Sequence, residues 1–149
     1  MHDSFFRSLI QRSQEEPFGR IFGFEVVEVG VGFATIRMHA NSRLNNIFGS
    51  IHGGAIFSLV DEAFQLACNS HGIMAVALNV SITYVSAPDP DCVIEASAEE
   101  IYRTKRTASY ACRVIDPNSG KLIATAQALA YRTNRSIDLK SGPCSGNHQ

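Results

Sequence analysis

The chain has 149 residues, 45% of them hydrophobic and 18% charged, with a formal net charge of -1. That is one domain's worth of globular sequence, able to bury a core without metals or disulfides. The near-zero charge excludes a general electrostatic pull toward nucleic acid or an anionic membrane, so an anionic ligand must be met by a local cluster.

The opening stretch MHDSFFRSLIQRSQEEPF has no uninterrupted apolar run of signal-peptide length, which makes the cytoplasm the expected location. Within it Phe5, Phe6, Leu9 and Ile10 recur at helical spacing and predict a short amphipathic helix over 3–13, ended by Pro17 and Gly19. Residues 1–20 thus read as a helix packed on a body that spans 21–133. Residues 21–29 and 31–39 are rich in β-branched and aromatic side chains and read as two strands joined at Gly30. Asn41 to Ser50 is a polar loop.

Gly53-Gly54 then opens the one long apolar helix, carried by 55–69. At about 100° per residue, Ser58, Glu62, Gln65 and Asn69 form a narrow polar stripe, and Ile56, Leu59, Val60, Ala63, Leu66 and Ala67 fill a wide apolar arc. So wide an arc predicts a helix largely enclosed by other structure. Asp61 lies beside the stripe, flanked by Phe57 and Phe64, at the boundary of water and core. The helix is too short and too polar on one face to cross a membrane. Gly72 follows as the left-handed stop.

Val76 to Val85 alternates cleanly, with Val76, Leu78, Val80, Ile82 and Tyr84 on one face and Ala77, Asn79, Ser81 and Thr83 on the other. The small polar face suits a cleft wall. Pro88 and Pro90 mark a turn, and strands over 92–102 and 107–116 are linked by Arg103-Thr104-Lys105-Arg106. Asp116 to Gly120 turns into a last strand over 121–132. The tail, 134–149, lacks periodicity and reads as disordered. Cysteines 68, 92, 112 and 144 show no metal-ligand spacing and read as reduced thiols. About six strands with short turns and one broadly apolar helix make an α+β fold, a curved antiparallel sheet wrapped around the helix.

Nucleophile-elbow, P-loop, dinucleotide and H-E-x-x-H patterns are all missing. What the sequence offers is a helix start and an acid. N–H groups at Gly53 and Gly54 can approach a carbonyl oxygen, and the helix dipole favours the negative charge formed there in acyl transfer. Asp61 can serve as a base or nucleophile, although the helix rise sets it about 12 Å along the axis from Gly53. A site shared across an antiparallel helix pair would close that gap. Arg103, Lys105 and Arg106 form the densest basic cluster and suit phosphates.

Asn46, His52-Gly53-Gly54-Ala55, Leu59-Val60-Asp61 and Ala67-Cys68-Asn69-Ser70, with Ile82-Thr83-Tyr84 and Gly120 to Ala124, resemble the hot-dog-fold acyl-CoA thioesterases of the phenylacetate-degradation (PaaI-like) type. The resemblance covers roughly 21–132. It implies a hot-dog fold and hydrolysis of an aryl- or medium-chain acyl-CoA without metal or cofactor. It further implies Asp61 as the catalytic acid, Gly53 N–H on the thioester carbonyl, His52 positioning the turn, and Asn46 holding water or the carbonyl. Arg103, Lys105 and Arg106 are then the candidates for the coenzyme A nucleotide. The family pairs Asp61 with the Asn46–Gly53 segment of another subunit, so a dimer or dimer of dimers is implied. A human member has a serine on the strand after the helix where this chain has Ala77. Two alternatives remain open: a hot-dog enoyl-CoA hydratase or dehydratase, using His52 and Asp61, and a non-catalytic acyl-CoA-binding module.

Overall fold

The computed structural model describes residues 2–139. Two helices, α1 (His2–Glu15) and α2 (Pro17–Phe22), precede β1 (Glu25–Gly30) and β2 (Phe33–His39). The long helix α3 (Gly53–Asn69) follows, then β3 (Ile73–Tyr84), β4 (Val93–Arg103), β5 (Thr107–Ile115) and β6 (Leu122–Ser136). All strand pairs are antiparallel, in the order β1-β2-β4-β5-β6-β3. The chain between β2 and β3 crosses from one side of the sheet to its far edge, and α3 lies in that crossing against the concave face.

Composition explains the curvature. The sheet face toward α3 is floored by Ala96 and Ala98 on β4 and by Ala124, Ala128 and Ala130 on β6, all buried. These small side chains let the helix approach while Ile36, Met38, Ile94 and Val114 close around it. The predicted arc of α3 is the buried arc: Ile56, Leu59, Val60, Ala63, Leu66 and Ala67 all face the core.

Several expectations change. α1 does stop before Pro17, at Glu15 with Glu16 extended, but Pro17 also opens α2, where its missing N–H costs nothing, and Gly19 lies inside that helix instead of ending one. Ile21 and Phe22 therefore belong to α2, and β1 begins later than predicted. The β1–β2 turn is Val31-Gly32, with Gly32 at φ 73, rather than Gly30. The last strand does not stop at 132: β6 runs through Ser136, which pairs with Ile73, and Leu139 packs on the core, so the tail is ordered at least that far. Residues 140–149, with Cys144, lie outside the described residues. Cys68, Cys92 and Cys112 are free thiols.

The largest departure lies in β3. Register skips Leu78, since Ala77 pairs with Ala130 and Asn79 with Leu129. Such a bulge reverses the alternation. Ala75 and Ala77 face α3 before it, and Val80, Ile82 and Tyr84 face α3 after it, while Val76, Ser81 and Thr83 point to the outer surface. The predicted two-sided pattern therefore breaks in the middle.

Candidate active site

The helix start is held by side chains that sequence reasoning only partly found. His52 is the N-cap, its Nδ1 accepting the Gly54 N–H at 2.8 Å, which leaves Nε2 to carry the proton. Ala55 N–H and Ile56 N–H both reach the His52 carbonyl, at 2.9 and 3.4 Å. Among the described residues this leaves Gly53 N–H as the first-turn donor with no acceptor. It points outward at the positive end of a 17-residue helix.

Both glycines are also closely approached by side chains. A Cβ on Gly53 would lie 3.1 Å from the Tyr84 ring, and one on Gly54 would lie 3.0 Å from His52 Nδ1. The Tyr84 hydroxyl donates to the Gly53 carbonyl at 2.9 Å. Tyr84 thus braces the helix start, a contact that the sequence reading missed. The available signal was its place at the end of the strand directly after the helix, at the right remove to return to the helix start.

Asn46 sits in the loop before this turn. Its Oδ1 accepts N–H bonds from Phe48 (2.9 Å) and Ser50 (3.1 Å), while its Nδ2 has no partner among the described residues. The side chain thus has a donor left to give and its acceptor already used. Ile47 and Phe48, beside it, are 91% and 85% exposed, far above what isolated apolar surface residues need.

Asp61 lies a little over two turns along α3, about 12 Å from Gly53 along the axis. It is half-buried, and its carboxylate has no hydrogen bond or ion pair among the described residues. Burial, helped by the nearby charge of Glu16, raises its pKa above the ordinary aspartate value. The next residue departs from expectation. Glu62, placed on the wet stripe by periodicity, is 4% exposed: Ser13 on α1 donates to its Oε1 at 2.6 Å, and Gln65 stands 3.5 Å from its Oε2. Burial pushes Glu62 up to about 7, the Ser13 bond opposing and neighbouring Glu16 adding to the rise.

Phe64, expected to flank Asp61 at the boundary of water and core, is fully buried and meets Tyr110 edge-on with centroids 5.4 Å apart. It belongs to the core. Ser81 and Thr83, expected on the same strand face as Ala77, lie on the opposite one because of the bulge. No hydroxyl from β3 replaces the absent serine beside Asp61.

The basic residues are not near Gly53 in the same chain. They occupy the β4–β5 hairpin, whose base is tied to the other end of α3 by a 2.6 Å contact between His71 Nε2 and Glu100 Oε2. Arg103 Nε bonds Glu100 Oε1 (3.3 Å), Arg106 Nη1 bonds the Tyr131 hydroxyl (3.0 Å), and Lys105 is exposed. One chain therefore brings together Asn46, His52 and Gly53, and holds Asp61 and the Arg103–Arg106 cluster apart from them. No grouping of three or more metal-ligating side chains occurs among the described residues. No described helix is long and apolar enough to cross a membrane.

A helix-wrapping six-stranded sheet with this glycine-opened helix is the hot-dog arrangement, and residues 48–123 match the Thioesterase superfamily, to which the chain belongs. It is a thioester hydrolase of the PaaI-like type. The sequence is 40% identical to a putative esterase of Archaeoglobus fulgidus over 73% of this chain and 70% of that protein. It is 27% identical to the acyl-coenzyme A thioesterase PaaI of Escherichia coli (83% and 88%) and 28% identical to human acyl-coenzyme A thioesterase 13 (78% and 86%). The solved structure of the Escherichia coli PaaI protein superimposes with a TM-score of 0.84 at 26% identity, covering 89% of this chain and 96% of that one.

Proposed function

We propose that this chain hydrolyses acyl-coenzyme A thioesters carrying an aryl or medium-chain acyl group, at a site shared between two copies. The observation that carries the reading is Asp61: a half-buried carboxylate with no hydrogen-bond partner among the described residues and with a raised pKa is poised to take a proton from water. Gly53 N–H, the unused donor at the helix start, polarises the thioester carbonyl and stabilises the oxyanion. Asn46 Nδ2 adds a second donor to the carbonyl or to the attacking water. His52 fixes the turn through its bond to Gly54.

The reaction balances simply. Water oxygen bonds to the thioester carbon as Asp61 takes its proton; the C–S bond then breaks, and the proton passes to the departing thiolate. If Asp61 attacked the carbon itself, a mixed anhydride would form first. Single-turnover hydrolysis in oxygen-18 water detects that route, because label enters the Asp61 peptide only when water attacks the Asp61 carbonyl of the anhydride.

The 12 Å separation is met by pairing. Two α3 helices packed antiparallel about an axis near Phe57, midway between Gly53 and Asp61, set each Asp61 against Gly53 of the partner subunit. The same pairing carries the hairpin of Arg103, Lys105 and Arg106 past that Gly53, where an extended coenzyme A arm would deliver its phosphates. β3 supports such pairing as a long edge strand with Val76, Leu78 and Tyr84 exposed.

The test is thiol release from arylacetyl-, benzoyl- and straight-chain acyl-CoAs, with Asp61→Asn beside the wild type. The variant is expected to keep its oligomeric state and lose about a thousandfold in kcat. Release unaffected by the substitution would sink the assignment of Asp61.

A further inference from the structure

A groove of about 700 Å³ runs between α1 and α3, and the chemistry above leaves it unused. α1 lies antiparallel to α3: Ser13 bonds Glu62, Leu9 and Leu66 share the groove, and Phe5 stands by Ser70, His71 and Gly72 beyond the helix end. One end of the groove is therefore next to the proposed catalytic acid. There Gln65, one turn past Asp61 on the same face of α3, donates to Glu16 Oε2 at 2.9 Å, and both residues line the groove with Pro17. Glu16 is also the charge that reaches Asp61. The other end lies at Ser8, and the helix rise makes the stretch of α1 from Glu15 to Ser8 about 10 Å long.

The lining has a definite chemistry. Leu9, Leu66, Met74, Ala75, Ile137 and Leu139 give it aliphatic walls, and the polar side chains come from the rims of the two helices. No aromatic ring lines it among the described residues. Aryl groups are commonly held by ring contacts, edge-on or offset. A trough that is long and aliphatic favours an unbranched hydrocarbon chain.

We infer that this groove receives the acyl chain of the substrate, that the preferred substrate is a medium to long straight-chain acyl thioester rather than an arylacetyl one, and that α1 measures the chain. This rests on the assignment of Asp61 under the proposed function, because the thioester must sit at that residue for its acyl group to enter past Gln65. Ser8 and Met74 become specificity-determining residues, at the far end and along the wall. Each buried methylene should raise kcat/KM about fourfold until the groove is filled.

The experiment measures kcat/KM for acetyl-, butyryl-, octanoyl-, dodecanoyl- and phenylacetyl-CoA with the wild type and Ser8→Trp. Ser8 is half-buried and its hydroxyl bonds only the Ser4 carbonyl, so the indole enters the groove without disturbing the core. Wild-type activity should rise with chain length and exceed that on phenylacetyl-CoA. Ser8→Trp should cut dodecanoyl-CoA turnover about tenfold and leave butyryl-CoA within about twofold. A length profile that Ser8→Trp does not change, or a preference for phenylacetyl-CoA, overturns the inference while leaving the hydrolase reading intact. Absence of thiol release from every substrate overturns both. A crystal structure with a dodecyl-CoA thioether decides the occupant directly: the alkyl chain against Met74, Ile137 and Leu139 supports the inference, and residues 140–149 or a partner subunit in that place refute it.

Discussion

The two ends of α3 make opposite use of their polar groups. At the C-terminal end, Ser70 Oγ accepts the Gly32 N–H and donates to the Ala67 carbonyl, each at 2.7 Å. Asn69 accepts from Ala75 N–H at 2.9 Å, and Glu100 Oε2 meets both His71 Nε2 and the Tyr110 hydroxyl. Burial pushes the Glu100 carboxyl up, but the bonds from His71 and Tyr110 and the charges of His71 and Arg103 outweigh it, and its pKa falls below the ordinary value. At the N-terminal end, Gly53 N–H and Asn46 Nδ2 are left without acceptors among the described residues, and His52 stands exposed. Satisfied groups fix a helix in place; unsatisfied ones beside a surface are reserved for something that binds there.

That contrast can be broken or sharpened. The largest effect is expected from Gly53→Ala, whose Cβ would meet the Tyr84 ring and displace the free donor; kcat should fall about a hundredfold with the fold retained. Mixing Gly53→Ala chains with Asp61→Asn chains tests the shared site. Heterodimers regain one intact site and about half the wild-type rate, whereas a site contained in one chain regains nothing. At the other end, Tyr110→Phe should cost about 1–2 kcal/mol in urea unfolding and leave turnover per folded molecule unchanged. A fall in turnover instead would mean that the C-terminal network reaches the chemistry.

The smallest effect concerns pH. Glu62 is raised in the fold, so the stability it contributes is complete below the ordinary glutamate range and is lost as pH rises through about 7. Glu100 is lowered, so its contribution is present at neutral pH and lost on acidification. Glu62→Gln, which keeps an acceptor for Ser13, should therefore raise Tm by a few degrees at about pH 8.5 and change little near pH 5. Scanning fluorimetry across that range checks the sign.

Much of this was legible in the residues themselves. The 3.6-residue pattern of 55–69 picked out the buried arc of α3, and the glycine pair marked where that helix starts. What escaped was set by contacts distant in sequence. Glu62 repeats with the polar stripe, yet its neighbours Leu59 and Leu66 are buried, and only the placement of α1 decides which side it joins. Phe64 and Phe57 look alike in sequence; the position of Tyr110 sends Phe64 inward. The alternation from Val76 to Tyr84 is unbroken in letters, and nothing local signals that Leu78 is skipped. Pro17 is equally compatible with a stop and with a first helical turn, and Gly23, two residues beyond Ile21, marks the true end of that segment.

The skipped Leu78 has a further consequence for how this protein behaves when crowded. A strand alternates which backbone groups it turns outward, and a bulge shifts that alternation by one. The free side of β3 is therefore two short templates out of phase, from Ile73 to Ala77 and from Asn79 to Tyr84, rather than one continuous run. An incoming strand can match one template but not both without a compensating bulge of its own. Two copies of the same chain possess that compensation, and an arbitrary extended segment does not. The irregularity thus restricts which foreign strands can add to an edge that is otherwise long and apolar.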